Sequence, residues 1–270
     1  MEFIKMHGLG NDFILLDCMA ETPAWDPAAL ARQLCRRNFS VGADGLVLAL
    51  PSSVADARMR IFNPDGSEPE MCGNAIRCLA RFLCDEGYVS GDALSIETLA
   101  GVLSLSVSRP AKAGMLVSVD MGVPEITGEI TLPIAGQSVP FTLVSTGNPH
   151  AVTYDLFPNQ RLFQVCGPLI EHDPAFPQGV NVEFCLREDA HTVRVLVWER
   201  GAGPTLACGT GATAAFCTGL QRGLIASPAE MRLPGGVLRF ERTENGHVIM
   251  TGPAEEAFRG QINLASREFA

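Results

Sequence analysis

Cys72 and Cys208 stand in two similar segments, Met71-Cys72-Gly73-Asn74-Ala75 and Ala207-Cys208-Gly209-Thr210-Gly211-Ala212. Each puts a cysteine and a glycine just before an apolar-periodic stretch that reads as a helix. A helix start carries unsatisfied N–H groups and positive partial charge, which lowers a thiol's pKa and favours the thiolate. The small residues that follow leave those N–H groups open to a carboxylate. The cysteines lie about half of the 270-residue chain apart. A chain of two like halves, each with one thiol at a helix start, can bring both thiols to one cleft. Such a pair suits removal of a proton from one face of a carbon and its return to the other. Two reactive thiols also suit a noncatalytic redox sensor.

The remaining cysteines, at 18, 35, 78, 84, 166, 185 and 217, read as small buried hydrophobes. Nine is an odd count, no C-x-x-C occurs and no secretion signal opens the chain. A disulfide framework and a metal site are therefore not expected, and a reducing cytoplasm is. The net charge of −10, with no basic run, argues against nucleic acid. No run is long and apolar enough for a membrane span.

Other polar groups gather near turns. Asn63, at a strand end in Phe62-Asn63-Pro64-Asp65-Gly66-Ser67-Glu68, can point an amide toward a ligand. Asn148 and His150 share a Gly-Asn-Pro-His turn, where a lone histidine is more often structural. Asn181 begins a strand and by itself draws no notice. In Trp198-Glu199-Arg200-Gly201-Ala202-Gly203 the charged pair fits a solvated strand end, or a reader of a zwitterion. Asn11 follows Gly8-Leu9-Gly10, which lacks the helix and the Lys-Ser/Thr ending of a phosphate loop; a turn residue is its default.

These residues need elements to hold them. Strands are expected at Phe13–Leu16, Leu46–Leu48, Met59–Phe62, Leu103–Val107, Leu116–Val119, Val193–Val197 and Val248–Met250. Asp26-Pro27 reads as a cap and first turn of a helix with Leu30 and Leu34 inward. Ile76, Leu79, Ala80 and Leu83 repeat at helical spacing, as do Ala212, Ala215, Phe216 and Gly219. Each half thus reads as several strands with one buried helix, the halves meeting near Met121-Gly122-Val123-Pro124.

Together the segments closely resemble the diaminopimelate epimerase family. The match runs in family order through Lys5–Phe13, Gly42–Gly45, Phe62–Glu68, Met71–Cys78, Glu97–Gly101, Gly147–His150, Asn181–Phe184, Trp198–Gly203, Ala207–Ala212, Leu233–Gly236 and Met250–Ala254. The two cysteine segments and Trp198–Gly203 are its specific parts. The resemblance implies an α/β (α+β) fold of two pseudo-symmetric lobes, each a β-sheet wrapped around a central helix. Residues 1–120 would carry Cys72 and be completed by a C-terminal strand over 256–270; residues 121–255 would carry Cys208. It implies cofactor-independent interconversion of LL- and meso-diaminopimelate, a step toward lysine and peptidoglycan, in a cytoplasmic enzyme that is a homodimer. Cys72 and Cys208 would be the base and the acid. Gly73, Asn74, Gly209 and Thr210 would offer backbone N–H groups to the carboxylate at the reacting carbon. Asn63, Asn148, Asn181, Glu199 and Arg200 would hold the distal amino-acid end, Asn11 would touch substrate, and His150 and Glu199 would tune the thiols. Two departures bear on specificity: Gly45 stands where some members have a substrate-contacting Gln, and Pro204 where many have Glu. The nearest rival is a racemase of another amino acid on the same scaffold.

Overall fold

A computed structural model describes residues 1–21, 23–111 and 114–263. The chain divides into two compact units, Met1–Val119 with the segment from Pro253 on, and Asp120–Gly252.

The first unit contains β1 (Glu2–Gly8), β2 (Asn11–Asp17), α1 (Pro27–Leu34), β3 (Gly45–Leu50), β4 (Ala57–Phe62), α2 (Gly73–Asp85), β5 (Ala93–Thr98), β6 (Gly101–Ser108) and β7 (Leu116–Asp120). The second contains β8 (Glu125–Ile134), β9 (Gln137–Ser145), β10 (Pro149–Thr153), α3 (Gln160–Glu171), β11 (Asn181–Arg187), β12 (Thr192–Glu199), the two-residue β13 (Gly203–Pro204), α4 (Gly209–Gln221), β14 (Ala229–Leu233), β15 (Gly236–Arg242) and β16 (Val248–Pro253). The last strand, β17 (Glu255–Gln261), pairs antiparallel with β1 and so belongs to the first unit. Residues 264–270 of the strand expected over 256–270 lie outside the described residues.

The two units share one topology. Strand order in the first is β17-β1-β2-β3-β4-β5-β6-β7, with only the β2–β3 and β4–β5 neighbours parallel. In the second it is β8-β9-β10-β11-β12-β14-β15-β16, and again only the third and fifth pairs are parallel. A parallel neighbour requires a crossover, and each of the four crossovers contains a helix. Register makes the equivalence residue by residue: Phe13 faces Gly45 in the first unit as His150 faces Asn181 in the second. Asn11 therefore corresponds to Asn148 and Gly45 to Asn181, while Asn63 just after β4 corresponds to Glu199 ending β12.

The central helices are buried for different reasons. Ile76, Leu79, Phe82 and Leu83 of α2 are almost fully enclosed, and each such side chain contributes roughly 1.5–3 kcal/mol. In α4 small residues, Ala212, Ala214 and Ala215, let strands approach closely, and Phe216 stacks on Phe240 at 5.5 Å. All the expected strands and the three expected helices form. A further helix in the second unit, α3, was not expected. Gly167-Pro168 reads as a breaker, yet both sit inside it. Gly167 is required there because a Cβ would lie 2.3 Å from the Trp198 ring. Asn159 capping Leu162 was the local signal. Cys84 and Cys217 depart from the expectation of full burial and are half-buried, because they face outward late in their helices.

Candidate active site

The first half-site is built on the start of α2. Cys72 is the N-cap residue, extended at φ −141° and ψ 117°, and its carbonyl accepts from Ile76 N–H at 3.0 Å. The first amides of the helix, from Gly73 on, have no intrahelical acceptor. Cys72 Sγ does not cap the helix; it lies 3.9 Å from Asn11 Oδ1. That oxygen also accepts from Asn74 Nδ2 at 3.0 Å, and Asn11 Nδ2 donates to Asp44 Oδ2 at 2.9 Å. Asp44 in turn binds Arg37, which also pairs with Asp12, and Asp12 pairs with Lys5. Asn11 is thus fixed from both ends beside the thiol, which is more than a turn residue requires. Leu9 and Gly10, at φ 58° and 83°, close the β1–β2 hairpin that presents it.

Arg77 was not singled out by sequence. Its guanidinium is fully buried, donating to Gly73 O at 2.9 Å, Asn74 Oδ1 at 2.8 Å and Pro253 O at 3.2 Å. Burial lowers it to about 10, while charge on Cys78 and Cys72 acts the other way. It therefore braces the Asn74 side chain and places a cation near the first thiol. Asn63 opens a tight Pro-Asp-Gly turn and donates from Nδ2 to Ser67 Oγ at 2.9 Å. Gly45 starts β3 and offers no side chain.

The second half-site is built on the start of α4. Cys208 is again the N-cap, extended at φ −127° and ψ 115°. Here Sγ does cap the helix: it accepts from Gly211 N–H at 3.4 Å and lies 3.4 Å from Thr210 Oγ1. Gly209 and Thr210 supply the first helix amides. The sequence expectation of a lowered thiol pKa is corrected at Cys208. Burial pushes this thiol well up, the Glu199 carboxylate adds to the rise, and hydrogen bonds from Thr210 and Gly211 only oppose it. Desolvation outweighs the helix start; burial also raises Cys78, inside α2, to about 12.

Glu199 accepts from Thr205 Oγ1 at 2.5 Å, and burial raises its own pKa. Arg200 is exposed: its backbone N–H donates to Asn181 Oδ1 at 3.0 Å and its guanidinium to Gln178 O at 3.2 Å. The structure thus sends Glu199 to the thiol and Arg200 elsewhere, and no ion pair joins them among the described residues. Asn181 also donates from Nδ2 to Pro149 O at 2.9 Å, so it ties the Arg200 loop to the Asn148 turn. Glu171 holds the same loop from below, accepting from Gly201 N–H and Trp198 Nε1–H, both at 2.7 Å. His150 is buried between Glu183 and Asn148, at 2.7 and 3.0 Å. Glu183 was quoted in sequence but given no part; an acidic residue inside an otherwise apolar strand was its signal.

The arrangement in duplicate defines a class of protein first. Solved structures with this fold include a probable proline racemase from Agrobacterium radiobacter, with a TM-score of 0.72 at 18% identity over 97% of this chain and 93% of that one. A hydroxyproline epimerase from Agrobacterium vitis gives 0.71 at 18% identity, covering 98% and 92%.

Sequence narrows the class. The family model described as diaminopimelate epimerase matches residues 3–127 and 142–256. The diaminopimelate epimerase of Desulfitobacterium hafniense is 48% identical, over 97% of this chain and 98% of its own. That of Moorella thermoacetica is 45% identical, over 98% and 100%. The chain belongs to the diaminopimelate epimerase family, and it is an isomerase.

Proposed function

We propose that Cys72 and Cys208 are the base and acid with which this epimerase interconverts LL- and meso-diaminopimelate, one thiol serving each face of the reacting α-carbon. The observation that carries the reading is that both cysteines are N-cap residues of the buried central helices, in units of one topology. An amino-acid α-hydrogen is a very weak acid, so charge spreading onto the carboxylate as the proton leaves must be stabilised. The amides of Gly73 and Asn74, and of Gly209 and Thr210, are the donors this reading assigns to that purpose. A thiolate takes the proton while a thiol delivers another from the opposite face, which inverts the centre. Burial and the Glu199 carboxylate favour the protonated form of Cys208. In one direction Cys208 is therefore the acid and Cys72 the base, and the roles exchange in the reverse direction.

Recognition of the distal end falls to groups that retain unused polar atoms. Asn63 keeps its amide oxygen for an ammonium, and the exposed Arg200 keeps donors for a carboxylate. Asn148 contributes its amide, Asn11 and Asn181 keep one amide hydrogen each, Glu199 acts chiefly on the second thiol, and His150 tunes it through Glu199. No protein cofactor or metal enters this chemistry. Nine free cysteines fit a reducing cytoplasm, and no helix among the described residues is long and apolar enough to cross a membrane. A homodimer is also proposed, with the half-exposed Phe258 on edge strand β17 as an apolar contact; sedimentation tests it. The catalytic reading is tested by incubating LL-diaminopimelate with the protein and resolving the stereoisomers. No meso product overturns it, and inversion of another amino acid in its place favours the racemase alternative.

A further inference from the structure

Glu183 lies in β11 with its side chain fully buried. A carboxylate so placed is costly unless a hydrogen-bond donor meets it. Oε1 is 2.7 Å from His150 Nδ1, and Oε2 has no hydrogen-bond partner among the described residues. The other ring nitrogen, Nε2, is 3.0 Å from Asn148 Oδ1. An ionised carboxylate only accepts, so Nδ1 carries the hydrogen of the first contact, and that bond sets the plane of the ring. Glu199, Cys208 and Cys185 are the other titratable groups whose charges act on this pair.

The amide beyond the ring is fixed in consequence. Asn148 Oδ1 lies 3.0 Å from His150 Nε2 and accepts from Thr146 Oγ1–H at 2.8 Å, so the other end of the amide, Nδ2, is the one presented outward. The space for Glu183 is itself built: a Cβ on Gly211, in the first turn of α4, would lie 2.5 Å from Glu183 Oε1.

We propose that Glu183 is a positioning residue for substrate recognition: it fixes the His150 ring, and His150 holds the Asn148 amide so that Nδ2 donates to a substrate carboxylate. The last link rests on the reading of Asn148 as a substrate residue; the Glu183–His150 contact does not.

Nitrogen NMR of the whole protein, labelled with 15N-histidine, tests the first link without a variant. His150 Nδ1 is expected to carry hydrogen, with His150→Gln identifying the resonances. A bare Nδ1 overturns the proposal. The second link is tested by Glu183→Gln, which is isosteric. Loss of one charge-assisted hydrogen bond scales to about 10- to 100-fold, here expected in KM for diaminopimelate with a much smaller change in kcat. Glu183→Asp should recover part of the loss, and adding Asn148→Ala to Glu183→Gln should cost little more. A fall in kcat at constant KM, or losses that add in full, overturns the relay. Wild-type KM in Asn148→Ala alone would remove Asn148 from the substrate, and the relay with it, even with the Nδ1 hydrogen observed.

Discussion

Cys72 and Cys208 cap equivalent helices with nearly the same backbone, φ −141°, ψ 117° and φ −127°, ψ 115°, yet only the Cys208 sulfur accepts a hydrogen bond from its helix. The difference lies in the neighbours. Cys208 is 6% exposed beside a carboxylate, whereas Cys72 is half-buried beside an asparagine and a guanidinium. One topology thus supplies two chemically unequal thiols.

Replacing either thiol should remove the reaction. Cys72→Ala and Cys208→Ala each delete one proton-transfer partner, for an expected loss of at least 10²- to 10⁴-fold, about the contribution of general acid–base catalysis. Cys78→Ala and Cys217→Ala should keep most activity, since those thiols lie inside α2 and α4 rather than at the helix starts, and burial raises them to about 12 and about 11. Stereoisomer assays of the four variants check this. Full turnover by Cys72→Ala or Cys208→Ala contradicts the assignment.

The Glu199 carboxylate favours the protonated form of Cys208, so removing its charge should make the thiolate easier to form. In Glu199→Gln the alkylation of Cys208 by iodoacetamide, followed by peptide mass mapping against pH, should shift to lower pH than in wild type. A profile that stays put or moves up would show that Glu199 does not act on this thiol.

Arg200→Met removes a cation proposed for the distal carboxylate. If that contact is charge-assisted and desolvated in the complex, its loss costs roughly 2–5 kcal/mol. The fall in kcat/KM should be much larger for diaminopimelate than for a monoamino acid at high concentration, which lacks the distal end. Equal fractional losses would make Arg200 a loop-holding residue, through its contact with Gln178 O.

Gly211→Ala forces a methyl against Glu183 Oε1. Overpacking of a close-fitted interior typically costs about 1–3 kcal/mol, so the urea midpoint should fall and activity with it. An unchanged midpoint would mean that the Glu183 carboxylate has room to move.

Much of this was legible in the chain. Alternation marked the expected strands, Asp26-Pro27 marked α1, and the Cys-Gly segments marked the starts of α2 and α4. The equivalence of Asn11 with Asn148 was not legible, because it is carried by strand register between segments distant in sequence. Helix α3 was hidden by Gly167-Pro168, whose purpose appears only when Trp198 packs on Gly167. Helix-start chemistry alone favoured a low pKa at Cys208. Desolvation, which no local pattern records, reverses the sign. Arg77 and Glu183 escaped for a related reason: a charged residue in an apolar helix or strand reveals its role only through its buried partners.

The central claim is that separate thiols serve the two faces of one carbon. Its most direct test is epimerisation of LL-diaminopimelate in D2O, stopped at early turnover, with substrate and product separated and weighed by mass spectrometry. The account predicts that each meso product molecule carries a solvent deuteron at the inverted carbon, while recovered LL substrate stays protiated. Product that retains the original proton, or LL substrate labelled as fast as product, would mean that one base serves both faces.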